Sequence, residues 1–327
     1  MSGAGASGGA SGAEASGAEA GGLVAGKRIA IVGGDAREQE IARLAVAAGA
    51  TVRCYGFPWP SPGGIPGATL AASAADALRG ADCALFPIPG IAADGSLYAP
   101  DSPGPIVPDA ALLRLLAPDA VIVLGRADSR LREAAARAGL TLSEYEDDTE
   151  LMLLRGPAIV EGVLALAIGA TEVTIHAAAA GVIGFGNIGG LLARTLRALG
   201  ADVHVFARNP AQRAAAYAAG CSAHPLDALP DMAPRLSMLF STVPAPVAGK
   251  RVLAGLPPGS LVVDIAAPPG GVDLDLARSL GHQALWARGM GRRAPVTVGR
   301  SQWTGIARRI AVHFETGHFV ERRNDAG

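Results

Sequence analysis

Two successive series in which short apolar runs alternate with helix-like segments, with the glycine turn Gly184-Phe185-Gly186-Asn187-Ile188-Gly189 at the head of the second, predict an α/β chain. The architecture they imply is two doubly wound parallel-sheet domains around a cleft, the second a Rossmann dinucleotide-binding domain. Size agrees. A chain of 327 residues, 50% of them hydrophobic and 17% charged, can bury two cores.

The first series opens with the apolar run from Arg28 to Val32, turns at Gly33-Gly34-Asp35, and continues with Ile41, Leu44 and Ala45 at helical spacing as far as Gly49. Further strands are expected at Thr51 to Phe57, Cys83 to Pro87 and Ala120 to Gly125, with helices at Ala71 to Arg79, Pro108 to Leu116 and Ser129 to Ala138. Pro58 to Gly67 holds four prolines and three glycines and reads as a surface loop. Leu142 to Asp148 is a short strand running into an acidic turn, and Leu151 to Gly169 a long helix interrupted near Gly156-Pro157. In the second series, strands are expected at Ala179 to Gly184, Asp202 to Ala207, Met238 to Thr242, Leu261 to Ile265 and Ala284 to Trp286. Helices at Ile188 to Leu199, Ala211 to Ala219 and Asp273 to Leu280 join them, and a last helix, from Gln302 to Phe314, is expected to pack back across the first domain.

These elements divide the chain into a tail (1–22), an N-terminal substrate-side domain (23–150), a linking helix (151–176), the Rossmann domain (177–300) and a C-terminal helix and tail (301–327). The tail contains only Met, Ser, Gly, Ala and Glu, too few large side chains to offset the entropy of ordering them. A GxSxG match inside it, Gly5-Ala6-Ser7-Gly8-Gly9, lacks the flanking strand and helix that a hydrolase elbow requires.

Composition excludes several classes. With 28 basic and 29 acidic residues the net charge is -1, so no broad cationic field exists for nucleic acid. Cys54, Cys83 and Cys221 are odd in number and far apart, which fits neither a disulfide framework nor a zinc knuckle and suggests a reducing cytoplasm. No Lys or Arg precedes Lys27, so a signal peptide is not expected. Apolar runs such as Ile159 to Ala170, broken by Glu161, read as too short to cross a membrane.

In the glycine turn, Gly184 permits the tight bend, Gly186 lets backbone N–H groups approach a pyrophosphate, and Gly189 allows the helix to pack on the strand. The next strand discriminates between cofactors. An NAD site usually carries a carboxylate about 20 residues on, for the ribose 2′-hydroxyl. Here the strand runs into Arg208-Asn209, and a guanidinium there can pair with a 2′-phosphate or stack on adenine, which favours NADP over NAD. A solvated strand-end arginine is the plain alternative. Thr242-Val243-Pro244 is assigned to the ribose on the nicotinamide side and Asp264 to Gly271 to the cleft wall, since both leave the carboxyl ends of strands.

Gly33 to Arg37 occupies the matching place in the first domain without the three-glycine spacing, so a substrate site suits it better than a second dinucleotide. Arg37 could grip a carboxylate through its planar fork, or Asp35 could cap the following helix and leave Arg37 solvated. Arg292-Arg293 is a second cationic candidate, for an anionic substrate or the cofactor phosphates, or simply surface. His176 lies at the amino end of its strand and reads as structural. His204, His224, His282, His313 and His318 have no ligand spacing, so no metal is expected.

Taken together, the motifs resemble one known family, the NADP-binding A subunits of dipicolinate synthase, from about Lys27 to Gly305. The carriers are Gly33 to Arg37, Phe86 to Ile91 with Asp94-Gly95, Val160-Glu161-Gly162, Thr174 to His176, Ala207-Arg208, Thr242 to Pro244, Asp264 to Gly271 and Ala294 to Gly299. This chain departs from the family pattern at Arg155-Gly156, Ile159 and Val296. The resemblance implies oxidation of a dihydrodipicolinate, formed from its hydroxylated tetrahydro precursor by loss of water, with NADP accepting hydride. Glu161, near the start of the linking helix, is then the candidate base or proton relay, or a plain solvated or capping glutamate, and Arg37 would hold a substrate carboxylate. It further implies a cytoplasmic oligomer in the mother cell of a spore-forming bacterium, acting on a small dicarboxylate and built with a flavoprotein-like B subunit. Two other readings stay open: a 2-hydroxy-acid-type dehydrogenase acting on another small acid, and a nucleotide-sensing or assembly component without turnover.

Overall fold

The structure, a computed structural model, describes residues 22–324. The tail expected to be disordered and its GxSxG match lie outside the described residues, apart from Gly22. Two compact units are present: residues up to Leu151 together with those from Ala294, and Met152–Arg293.

The first unit runs β1 (Arg28–Val32), α1 (Ala36–Ala47), β2 (Thr51–Tyr55), β3 (Ala68–Leu70), α2 (Ala74–Leu78), β4 (Cys83–Leu85), α3 (Ala110–Leu113), β5 (Val121–Leu124), α4 (Ser129–Ala138) and β6 (Thr141–Glu144). Its sheet has the order β3-β2-β1-β4-β5-β6, all parallel, with Arg28 opposite Thr51 and Ile29 opposite Cys83. Both faces are covered. Ile29 and Ile31 point into one core and Ala30 and Val32 into the other, which is why the strand is a continuous apolar run instead of an alternating one.

Helix α5 (Thr149–Ala170) leads into the second unit, which runs β7 (Ala179–Ile183), α6 (Asn187–Ala198), β8 (Asp202–Phe206), α7 (Pro210–Ala218), β9 (Ser222–His224), α8 (Leu229–Met232), β10 (Met238–Ser241), α9 (Lys250–Leu253), β11 (Leu261–Asp264), α10 (Leu274–Ser279) and β12 (Gln283–Trp286). Its sheet order is β12-β11-β10-β7-β8-β9, again parallel. Register aligns the strand ends: Trp286, Asp264, Ser241, Ile183 and Phe206 lie side by side at one rim. The loops that follow them therefore emerge together, and the order in which strands are added reverses beside β7, between β8 and β10, where a doubly wound sheet opens its ligand crevice.

Three expectations need correction. Helix α5 is not interrupted near Gly156-Pro157; it continues through Pro157, with Glu161 in its middle and not near its start. Leu153 and Pro157 are both exposed, so water can satisfy the carbonyl that the missing N–H leaves free. Nor is this segment short, because its 22 residues are long and apolar enough by length and composition to cross a bilayer. Half of its most apolar window is buried, and Val160, Val163, Leu164 and Ala167 join the core of the second unit. Finally, the last helix, α11, begins at Pro295 instead of Gln302 and packs against α1. At Gly299 a Cβ would lie 2.6 Å from the Arg37 carbonyl oxygen, so only glycine permits that approach.

Candidate dinucleotide site

The turn after β7 is built by three glycines with three different constraints. Gly184 has φ +92°, a conformation side chains rarely adopt, and a Cβ there would meet Thr242 Oγ1 at 2.7 Å. At Gly189 a Cβ would run into the carbonyl oxygen of Gly184, so the helix can pack this closely only without a side chain. Gly186 is the opposite case, with nothing within 4 Å of its missing Cβ. It is also the N-cap of α6 and gives no side-chain cap, whereas Asp35, Asp128 and Asn209 cap α1, α4 and α7. The first amides of α6 are thus unclaimed by a capping side chain, and the space beside Gly186 is open, the arrangement that receives an anion. Phe185 is buried in the core and Ile188 packs near α5 at Gly156, while Asn187 is exposed.

Beside the turn lies a pocket of about 270 Å³ lined by Gly184, Phe206, Arg208, Gln212, Leu226 and Val247 among others, with no carboxylate in its wall. Apolar side chains there suit a purine. The Arg208 side chain is exposed and, among the described residues, has no ion-pair partner. Its backbone is pinned from the next helix, because Arg213 Nη1 donates to the carbonyl oxygens of Ala207 (3.0 Å) and Arg208 (2.7 Å). Arg213 was not singled out from the sequence; its signal was a second arginine one turn into the helix that follows the strand.

The other half of the rim is formed by the loops after β10, β11 and β12. Thr242 Oγ1 donates to the Ile183 carbonyl oxygen at 2.9 Å, which ties Thr242-Val243-Pro244 to the glycine turn. Asp264, 1% exposed, accepts from the amides of Ala266 (3.0 Å), Gly271 (2.6 Å) and Val272 (3.0 Å) and so shapes the proline-glycine loop. Trp286 Nε1 donates to the Ala266 carbonyl oxygen at 3.0 Å and braces the same loop. Glu161, on α5, accepts from Arg293 Nη2 at 2.7 Å; both side chains are more than half exposed. Sequence reasoning named both residues without pairing them, since 132 positions separate them.

In the first unit Asp35 caps α1 and forms a capping box with Glu38. Arg37 is neither solvated nor open: at 6% exposure, its Nε and Nη2 donate to the Asp35 carboxylate at 2.8 and 2.9 Å. The fork expected to grip a substrate carboxylate is closed on a residue of its own turn. Burial pushes the Glu38 carboxyl up to about 7, with Asp35 adding to the shift and Arg37 opposing it. His176 sits against Gly200 at the amino end of β7. His204 and His224 stack with ring centroids 5.4 Å apart, and desolvation, aided by His204, lowers the pKa of His224.

Fold and site define the class: two parallel α/β domains, the second a nicotinamide-dinucleotide-binding domain of dehydrogenase type. In agreement, residues 28–146 match the family of N-terminal domains of the dipicolinate synthase A subunit, and residues 167–280 the NAD-binding domain of the D-isomer specific 2-hydroxyacid dehydrogenases. The dipicolinate synthase A subunit of Bacillus subtilis (strain 168) is 30% identical over 274 residues, 84% of this chain and 92% of that protein. The crystal structure of the dipicolinate synthase A subunit from Bacillus halodurans superposes with a TM-score of 0.81 at 28% identity, covering 89% of this chain and 99% of that one. That of the Bacillus subtilis protein gives 0.79 at 29% identity, covering 89% and 98%. The chain belongs to the family of dipicolinate synthase A subunits.

Proposed function

We propose that this chain oxidises dihydrodipicolinate to dipicolinate with NADP as acceptor, in the cytoplasm of a spore-forming cell and in complex with a flavoprotein-like B subunit. One observation carries the cofactor choice: the pocket beside the glycine turn presents Arg208 and no carboxylate. A 2′-phosphate would gain a charge-assisted pair there, whereas a ribose hydroxyl would find no acid to accept its proton. The uncapped amides of α6 and the open space over Gly186 fit the pyrophosphate.

When bound, NADP supplies the hydride acceptor. The chain's own task is positioning. Thr242-Val243-Pro244 and the loop stapled by Asp264 wall the nicotinamide side, and Glu161 receives the ring proton that leaves as the hydride departs. Loss of one hydride and one proton makes the ring aromatic, so the chemistry is downhill once the ring is held correctly.

Purified full-length chain should be incubated with NADP and freshly generated dihydrodipicolinate, with and without the B subunit. Dipicolinate absorbance rising in step with NADPH is the expected result. No product from protein that binds NADPH, with the partner present, would overturn the assignment and leave a nucleotide-sensing role.

A further inference from the structure

Arg293 has more to give than its bond to Glu161. Sheet order places β8 on one side of β7 and β10, β11 and β12 on the other, so a dinucleotide with its adenosine by Arg208 extends its nicotinamide toward the loops of the latter three. Arg293 closes the short turn Met290–Arg293 that follows β12. It therefore stands on the nicotinamide side.

The turn is fixed there by backbone contact. A Cβ at Gly162 would meet Met290 Cβ at 2.8 Å and its carbonyl oxygen at 3.1 Å, so α5 lies directly against the turn one residue from Glu161. Gly289, with φ +64°, allows the chain to bend into it. An ion pair this exposed contributes little to stability. Among the described residues, the guanidinium engages only Glu161, through Nη2, and the side chain is 51% exposed. An arginine fork binds carboxylates through an edge of two parallel N–H groups, so an edge remains for a second carboxylate. Arg37 offers no accessible edge: Asp35 holds its Nε and Nη2, and the rest of the guanidinium is buried.

We propose that Arg293 anchors one carboxylate of the substrate while holding Glu161 with its other donors. The inference rests on the dihydrodipicolinate reading above. One guanidinium bridging the two carboxylates would set the base at a constant distance from the ring carbon beside the anchored group. The ring proton then passes to Glu161 and the hydride to the nicotinamide, and Arg293 keeps its protons throughout.

The test uses full-length chain saturated with NADP. Calorimetry would follow dipicolinate and the monocarboxylate pyridine-2-carboxylate binding to wild type, Arg293→Ala, Arg293→Lys and, as a surface control, Arg251→Ala, whose exposed partner is Asp231. Arg293→Ala should weaken dipicolinate binding about ten- to a hundredfold, the loss expected for a charged hydrogen bond, and erase its advantage over the monocarboxylate. Lys should recover part of the affinity and Arg251→Ala should change nothing. In turnover with the B subunit, Arg293→Ala should raise KM more than it lowers kcat, and added guanidinium ion should restore part of the loss. Unchanged dipicolinate affinity and KM in Arg293→Ala would overturn the anchor, as would a pure kcat defect without rescue. Wild type that binds NADP but no dipicolinate would instead overturn the substrate reading itself, and the anchor with it.

Discussion

At the residue scale, charge and burial separate groups that the sequence makes look alike. Arg37, Arg208 and Arg293 each follow a strand end, yet only the first is buried, because Asp35 two residues before it supplies a bidentate partner. That closure was not legible: two charges in one turn can pair with each other or face outward, and the choice depends on the loops folded over them. Arg208→Asp should weaken NADPH binding by about tenfold or more and leave NADH unharmed, since the pocket then repels a 2′-phosphate and accepts from a ribose hydroxyl. Fluorescence titration with both nucleotides checks this, and equal affinities in wild type would remove Arg208 from the cofactor site. Glu38 makes a pH prediction of definite sign. Its folded value of about 7 exceeds the ordinary 4.5, so between those limits the native state binds more protons than the unfolded chain and stability falls as pH rises. The loss amounts to about 3 kcal/mol across the window. Glu38→Gln keeps an oxygen for the Asp35 amide and should flatten the denaturant midpoint between pH 5 and 8 relative to wild type. Parallel slopes for the two proteins would refute the buried-acid assignment.

At the scale of elements, the strands were the legible part. β1, β5, β7, β10 and β11 are mostly apolar runs that have to be buried on both faces, β8 alternates valine with polar residues before Phe206, and the expected ends of all six lie within two residues of the observed ones. What escaped has physical reasons. β3 and β9 are edge strands of only three residues, too short to carry a pattern. The start of α11 was hidden by Val296-Thr297-Val298, a β-branched run that reads against helix, although Pro295 in the first turn is preorganised for one. The glycine turn separates packing from binding in a way two substitutions can read. Gly189→Ala drives a methyl group into the Gly184 carbonyl oxygen and should cost about 1–3 kcal/mol of stability together with dinucleotide affinity. Gly186→Ala meets nothing in the protein, so its cost in stability should be held to the roughly 0.5–1 kcal/mol by which alanine is the poorer N-cap, with the main loss in affinity. A Gly186→Ala protein that binds NADPH normally would show that no pyrophosphate passes over that position.

For the whole molecule, the division into two units was visible as two alternating series, and the last helix packs back on the first of them, as its place at the end of the chain suggested, whereas its particular partner, α1, was not legible because no local pattern encodes so distant a pairing. The three cysteines supply natural reporters of each unit. Cys54 and Cys83 are inaccessible in the first, and burial pushes both thiols up to about 12; Cys221 is buried in the second, where desolvation also raises its pKa. None should react with an aromatic disulfide reagent until its unit opens, because reaction needs an exposed thiolate. A ligand that binds only native protein opposes opening by a factor of one plus its concentration over Kd, so NADP at about 100 times Kd should slow labelling of Cys221 roughly a hundredfold. Cys54 and Cys83 should keep their rates if the nucleotide is held by the second unit alone. Mass spectrometry of the labelled peptides resolves the three sites in one time course. Protection confined to Cys54 and Cys83 would move the dinucleotide to the first unit and refute the role given to the turn at Gly184, while equal slowing of all three would mean that the two units open as one.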